Sequence, residues 1–274
     1  MNGALKVEPG FSLADIDFGS TPGFDGDKAA GEQELKDGTA ELAQLQEMLF
    51  AESRSGGTRR VLLVLQGMDT AGKGGIMRHV VGAVDPQGID HYAFKAPSDE
   101  EKKHDFLWRI KRQLPGPGMI GVFDRSHYED VLIHRVRQLT PLHEIEQRYD
   151  LINAFESKVA ASETRIVKVM LHISADQQKK RLKQRLDNPD KHWKYNPGDV
   201  DERLLWDDYQ QAYQTALERT STDTAPWYVV PADHKWYARL AVQNLLLDAL
   251  RQLDLDWPKA TFNVEAEKAR LAAS

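Results

Sequence analysis

Gly67-Met68-Asp69-Thr70-Ala71-Gly72-Lys73-Gly74-Gly75 follows the apolar run Val61-Leu-Leu-Val-Leu65 and precedes the helical stretch Ile76–Val84. The stretch matches G-x-x-x-x-G-K. Glycines let the backbone wrap an anion with its N–H groups, the following helix aims its N-terminus at that anion, and Lys73 adds a mobile cation. Strand, glycine-rich loop and helix in this order are what phosphate binding requires. A bland alternative is a glycine-rich β–α turn with a solvated lysine. The pattern ends on Gly74, where Ser or Thr normally places a hydroxyl on Mg²⁺. Another oxygen must then help to hold the metal, and Asp69 inside the loop is the candidate.

A second carboxylate lies about fifty positions on. The apolar run Met119-Ile-Gly-Val-Phe123 ends in Asp124-Arg125-Ser126-His127-Tyr128-Glu129-Asp130. A strand that terminates in Asp supplies the other half of such a site, because the carboxylate can bind Mg²⁺ or its water shell. Arg125 beside it suits a phosphoryl group with charge on its equatorial oxygens. Asp124 can also be read as a helix N-cap, and Glu129 and Asp130 as acids favoured by a helix N-terminus. His127 is not needed as a base, since transfer between phosphate oxygens abstracts no proton. It is expected to be structural.

Five short β-like runs, each followed by a helical pattern, organise the chain: Val61–Leu65, His91–Phe94, Met119–Phe123, Ile166–Ile173 and Trp227–Val230. All but the second are nearly continuous apolar runs, as expected of strands buried on both faces of a parallel sheet. The alternation predicts an α/β fold with a doubly wound, parallel, five-stranded sheet and ligands beyond the carboxyl ends of its strands. Residues 1–30, rich in Gly, Asp and Pro, read as an irregular arm. Leu35–Ala51 reads as a helix weakened at Gly38 and ended by Gly56-Gly57. The expected division is an arm and helix over 1–56, a phosphate-loop domain over 57–255, and a tail over 256–274.

Between Lys168 and Lys194 stand Lys/Arg at 168, 179, 180, 181, 183, 185, 191 and 194 against Asp at 176, 187 and 190. Helical spacing places Lys180 with Lys183, and Arg181 with Arg185, on shared faces that can converge on a polyanion. The lysines can equally form a solvated face; arginines suit fixed, bidentate phosphate contacts. Ser174 is a plausible N-cap for this helix. After the breaker-rich run Asn188–Gly198 comes a further helix, with Asp199-x-x-Glu202 as a capping-box-like start. A helix–loop–helix excursion over about 177–220 has the makings of a lid that closes arginines over phosphates and excludes water.

Composition narrows the class. The formal net charge of −6 argues against a general nucleic-acid binder. No cysteine is present, which excludes a disulfide scaffold, a thiolate metal site and a cysteine nucleophile, and fits a cytoplasmic protein. No apolar run reaches the length of a membrane span, and Met1–Phe11 lacks the apolar core of a secretory signal.

Taken together, Leu65–Gly75, Asp124–Glu129, the pair Arg181/Arg185, Trp206-Asp-Asp-Tyr209 to Tyr213, and Ala225–Lys235 resemble the polyphosphate kinase 2 family from about Leu42 to Leu253. The resemblance implies a thymidylate-kinase-like P-loop fold with a helical lid. It implies Mg²⁺-dependent phosphoryl transfer between inorganic polyphosphate and adenine or guanine nucleotides, in a homo-oligomer (dimer or tetramer) with no nucleic acid or membrane partner. By position it makes Asp69, Lys73, Asp124, Arg125 and Glu129 catalytic, with Asp69 and Asp124 toward the metal. Gly67, Thr70, Ala71, Gly72, Gly74, Gly75, Arg181 and Arg185 would bind phosphate or polyphosphate. Glycine at 74 fits the family pattern, although several members carry Asp there. The acid at Glu129 resembles the branch that accepts AMP and also acts on ADP. Phe94 and Trp108 are candidates for the base pocket, with core packing as the alternative. Competing readings are an ATP-dependent nucleoside-monophosphate kinase and a non-catalytic nucleotide-sensing module.

Overall fold

The computed structural model describes residues 2–274, the side chain of Asn2 excepted; Met1, the first residue of the expected arm, lies outside it. The strands are β1 (Arg60–Gln66), β2 (Ile89–Ala93), β3 (Ile120–Asp124), β4 (Thr164–His172) and β5 (Trp227–Pro231). The α-helices are α1 (Asn2–Leu5), α2 (Lys28–Ser53), α3 (Lys73–His79), α4 (Trp108–Lys111), α5 (Ile133–Val136), α6 (Leu142–Ala161), α7 (Ala175–Asp187), α8 (Gly198–Arg203), α9 (Trp206–Thr220), α10 (Lys235–Arg251) and α11 (Val264–Ala272). Short 3-10 turns connect several of them.

All five strands are parallel, in the order β2-β3-β1-β4-β5, with helices on both faces: the doubly wound sheet that the alternating pattern predicts. Val61 to Leu65 are each at most 2% exposed, because β1 is central and covered from both sides. Each such apolar side chain contributes about 1.5–3 kcal/mol relative to exposure. β2 and β5 are the edge strands; the N-terminal arm lies on β5, whereas β2 mixes exposed with half-buried positions, which is why His91–Phe94 is the least apolar of the five runs. In the register Leu65 stands opposite Asp124, so the segments leaving β1 and β3 start side by side.

Gly38 does not weaken a helix start as the sequence suggests. The helix runs unbroken from Lys28, where Asp27 caps it by accepting from Ala30 N. A Cβ at Gly38 would come within 2.6 Å of Gln243 Oε1, and the Gln243 amide donates to Leu35 O (2.9 Å) and Thr39 Oγ1 (3.2 Å). The bare position thus lets α2 lie close on α10.

Lys168 leaves the basic group to which the sequence assigned it. It points inward from β4, fully buried, and donates to Glu156 (2.6 Å), Tyr128 Oη (2.8 Å) and Thr220 O (2.7 Å). Glu156 also takes the Tyr128 hydroxyl (2.8 Å) and faces His127 Nε2 (3.1 Å). His127 is therefore a buried member of this network, as expected of a structural residue. A charge at such depth persists only when its partners satisfy it.

The N-terminal arm packs along the body. Val7 N donates to Trp227 O (2.9 Å) beside a Lys6–Tyr228 antiparallel bridge on β5, and Leu5, Val7 and Leu13 are buried. Phe18 stacks on His172 with ring centroids 4.3 Å apart. Among the described residues no helix is long and apolar enough to cross a membrane.

Candidate active site

Parallel pairing of β1 with β3 brings the two motifs together. The glycine-rich loop leaves β1 at Gly67, whose φ of +148° suits glycine and whose missing Cβ would sit 2.8 Å from Leu171 O. Arg125 leaves β3 with its N–H on Leu65 O (3.0 Å) and a left-handed φ of +64°. For a non-glycine residue this conformation is strained, and it turns the guanidinium back across the loop.

There Arg125 forms two ion pairs: Nη2 with Asp69 Oδ1 at 2.6 Å and Nη1 with Glu129 Oε2 at 3.0 Å. Glu129 first, then Asp69, holds the guanidinium proton more tightly than usual. Lys73 folds over the loop and donates to Gly67 O (2.8 Å). Its pKa is lowered by burial and by Arg125, against the opposing pull of Asp124 and Asp69. Asp124 is half-buried and lines the same cavity as Asp69 and Lys73.

Two cavities meet at the Asp69–Arg125 pair, and their charges are opposite. The larger, about 630 Å³, is lined by nine cationic side chains (Lys73, Arg78, Arg125, Arg181, Arg185, Lys191, Lys194, Lys235, Arg239) and two carboxylates, Asp69 and Asp124. Thr70, Ala71, Gly72, Gly74 and Gly75 form its floor. The smaller, about 220 Å³, is lined by Gly67, Asp69, Arg125, Glu129, Asn196, Asp199, Glu202, Tyr209 and Tyr213, with Leu132 and Ile133. Four of those side chains are carboxylates and one is a cation. Burial, then Asp69, raises the Asp199 pKa, and burial, then Glu129, raises that of Tyr213.

The helix expected to open the excursion is present as α7, capped by Ser174 Oγ accepting from Gln177 N (3.1 Å). Its residues diverge in what they face. Arg185 reaches the cationic cavity, held by Lys194 O (2.8 Å) and Asp199 Oδ2 (3.2 Å). Arg181 is 5% exposed and gives its two terminal nitrogens to the carbonyls of Thr70, Ala71, Ala232 and Asp233. Lys180 and Lys183 are exposed on the far face, Lys183 pairing with Asp187 at 2.7 Å, which is the solvated face open to lysines.

Asp199 and Glu202 form no capping box. The helix starts at Gly198, two residues ahead of where an Asp199 cap would start it, and the two carboxylates go instead to Arg185 and to Arg137 (2.9 Å), with the Tyr209 hydroxyl on Glu202. Phe94 is core: 3% exposed, its ring stands edge-on to Phe123 at 5.0 Å. Trp108 stacks on His104 at 4.0 Å, with Arg112 over its ring. Neither aromatic lines either cavity, because β2 and the segment after it lie at the sheet edge.

Several cavity residues escaped the sequence reading. Lys235 and Arg239 lie i,i+4 on α10, the helix after β5, and Arg78 lies five positions beyond Lys73. The rule that such sheets bind ligands at the carboxyl ends of their strands points to the start of α10, but only the fold shows which way these side chains turn. Tyr209 and Tyr213 carry part of the family resemblance, but their place on α9 alone does not show that they turn into the smaller cavity.

Comparison with known proteins agrees with this geometry. The family model described as polyphosphate kinase 2 matches residues 25–257. An AMP/ADP-polyphosphate phosphotransferase of Meiothermus ruber is 43% identical over 256 residues, covering 93% of this chain and 94% of that one. An ADP-polyphosphate phosphotransferase of Rhodopseudomonas palustris is 44% identical over 232 residues, covering 80% of this chain and 79% of that protein. The crystal structure of polyphosphate kinase 2 from Arthrobacter aurescens TC1 superposes with a TM-score of 0.96 at 62% identity, covering 98% of this chain and 95% of that one. The chain belongs to the polyphosphate kinase 2 family.

Proposed function

We propose that this protein transfers a phosphoryl group between inorganic polyphosphate and AMP or ADP, with Mg²⁺ as cofactor. The observation that carries the reading is the junction of a cationic cavity with an acidic, tyrosine-lined one at Asp69 and Arg125. A single triphosphate does not call for nine cations; a polymer of phosphates does. The carboxylates and tyrosines of the smaller cavity repel a long polyanion and match the hydrogen-bond donors of a ribose and a base. Polymer and nucleotide thereby approach the loop from opposite sides.

In this scheme a terminal phosphate oxygen of the nucleotide attacks the end phosphorus of the polymer. The P–O bond to the next phosphate breaks, and the shortened chain leaves with the electron pair. Positioning and charge neutralisation carry such a reaction. The loop amides and Lys73 hold the transferred group, Arg125 faces its equatorial oxygens, and Arg185 with Lys235 and Arg239 holds the donor. Asp69 and Asp124 suit Mg²⁺, a hard cation bound by one or two carboxylates plus phosphates and water. When bound, it offsets charge on the phosphoryl oxygens.

Glu129 favours AMP as an acceptor alongside ADP. A two-by-two assay decides the matter: AMP or ADP with Mg²⁺, and either long-chain polyphosphate or ATP as donor. ADP and ATP formed from polyphosphate are the expected products. Product from ATP and AMP alone would make the protein a nucleoside-monophosphate kinase; no turnover with any donor would make it a sensing module.

A further inference from the structure

The conspicuous segment Pro231-Ala-Asp233-His-Lys235 contributes only Lys235 to the scheme above, yet Asp233 is the most heavily engaged residue of its turn. Its Oδ1 accepts Ser174 N–H (2.8 Å) and its Oδ2 accepts the Ser174 hydroxyl (2.7 Å). Ser174 is the N-cap of α7, so one carboxylate holds both hydrogen-bond donors of the residue that starts this helix. The Asp233 N–H is itself tied to Phe18 O (3.2 Å) in the arm.

Two turns into α7, Arg181 closes the loop of contacts. Nη2 donates to Ala232 O (2.6 Å) and Asp233 O (3.1 Å), and Nη1 to Thr70 O (2.8 Å) and Ala71 O (2.9 Å). The planar fork of a guanidinium gives each of the two backbone segments its own terminal nitrogen. The floor of the cationic cavity is thus bolted to the turn after β5 through α7. The same helix carries Gln184 and Arg185 to that cavity. A shift at the Ser174 root moves both together.

We infer that Asp233 is a positioning residue: by fixing the root of α7 it lets Arg181 clamp the glycine-rich loop and sets Arg185 toward the donor. The inference rests on the polyphosphate reading of the larger cavity. Asp233 lines neither cavity, so its influence passes through Ser174 and Arg181.

The test compares Asp233→Asn, Ser174→Ala and their double variant by steady-state kinetics, varying polyphosphate and nucleotide separately. Ser174→Thr, which keeps the hydroxyl, serves as the rescue. Asp27→Ala, which removes the same kind of cap from α2, serves as a stability control. The expected result is a KM for polyphosphate raised about three- to tenfold in each single variant, with nucleotide KM changed by less than about twofold. The double variant should be no worse than the worse single, as for residues acting through one path. Ser174→Thr should restore the wild-type value, and Asp27→Ala should lower the melting temperature with no change in either KM. An unchanged polyphosphate KM in both singles, or an equal rise in both constants, overturns the inference. If Asp233→Asn does not fold, the Ser174 pair decides alone. Wild-type protein that turns over no polyphosphate sinks the functional reading, and this inference with it, before any variant is compared.

Discussion

Asp69 and Arg125, 56 positions apart in the chain, meet at 2.6 Å between carboxylate and guanidinium. Neither the loop nor the turn after β3 makes this contact alone; it follows from parallel pairing that sets Leu65 beside Asp124. Glu129 holds the other guanidinium nitrogen, so Arg125 keeps one partner when Asp69 is changed. Asp69→Asn should therefore leave the fold intact while removing a charged oxygen from the place where the transferred group and metal would sit. Turnover in Mg²⁺ should fall by about a hundredfold or more, with a melting curve close to wild type. Normal kinetics in this variant would remove Asp69 from the chemistry.

Both arginines of α7 line the larger cavity, but Arg181 gives both terminal nitrogens to backbone carbonyls while the bonds of Arg185 run from Nη1. Arg185→Ala should raise the KM for polyphosphate and leave the dissociation constant of the nucleotide, read by calorimetry, nearly unchanged. Equal losses in both would place Arg185 between the substrates instead of on the donor side. Part of any effect passes through Asp199, which loses its pair at 3.2 Å.

What was legible in the chain follows a physical division. Strands buried on both faces read as apolar runs, and a glycine-rich loop between strand and helix can be recognised because backbone geometry dictates glycine. Hence the sheet, the loop and Asp124 at the tip of β3 were visible as sequence. The direction of a long side chain on a helix is not set by spacing alone. Arg181 and Arg185 lie on one face and both line the larger cavity, yet one gives its terminal nitrogens to four carbonyls and the other pairs with Asp199. Phe94 looked like a pocket aromatic because hydrophobicity does not distinguish a ring against Phe123 from a ring against a ligand. Asp199 and Glu202 matched a cap by pattern, but tertiary ion pairs with Arg185 and Arg137 claim them.

His172, at the end of β4, bears on acid stability. It is 1% exposed, and Phe18 covers its face. Burial lowers its pKa to about 4, against smaller upward pulls from Asp233 and from the Leu13 backbone. Between the ordinary histidine range and pH 4 the unfolded chain binds this proton and the folded chain does not. Stability is therefore fully present above the unfolded value of about 6.5 and is lost as pH falls toward 4. His172→Phe keeps a ring against Phe18 and removes the proton site. In urea unfolding at pH 7 and pH 4.5, the variant should lose less stability than wild type, by on the order of 2–3 kcal/mol. An identical acid loss in both proteins would mean that the ring is hydrated and titrates normally.

Two glycines of the loop make opposite demands, although the motif treats them alike. Gly67 has φ +148° and an absent Cβ that would stand 2.8 Å from the backbone oxygen of Leu171 and 3.1 Å from the Ala71 Cβ. Gly67→Ala must both leave that conformation and push β4 away, so it should cost more than about 2 kcal/mol and abolish turnover. Gly74 lies inside α3, and a Cβ there would meet nothing within 4 Å. Gly74→Ala should be neutral or stabilise by up to about 1 kcal/mol through reduced freedom of the unfolded chain. It should also retain activity, because any contact from position 74 to a phosphate would use its N–H and not its side chain. Thermal melts and polyphosphate-dependent turnover of the pair separate these cases. A Gly74→Ala protein that melts like wild type but does not turn over would mean that the open space at this position is where substrate packs against the helix, and the donor would then lie one residue deeper along α3 than Lys73 alone implies.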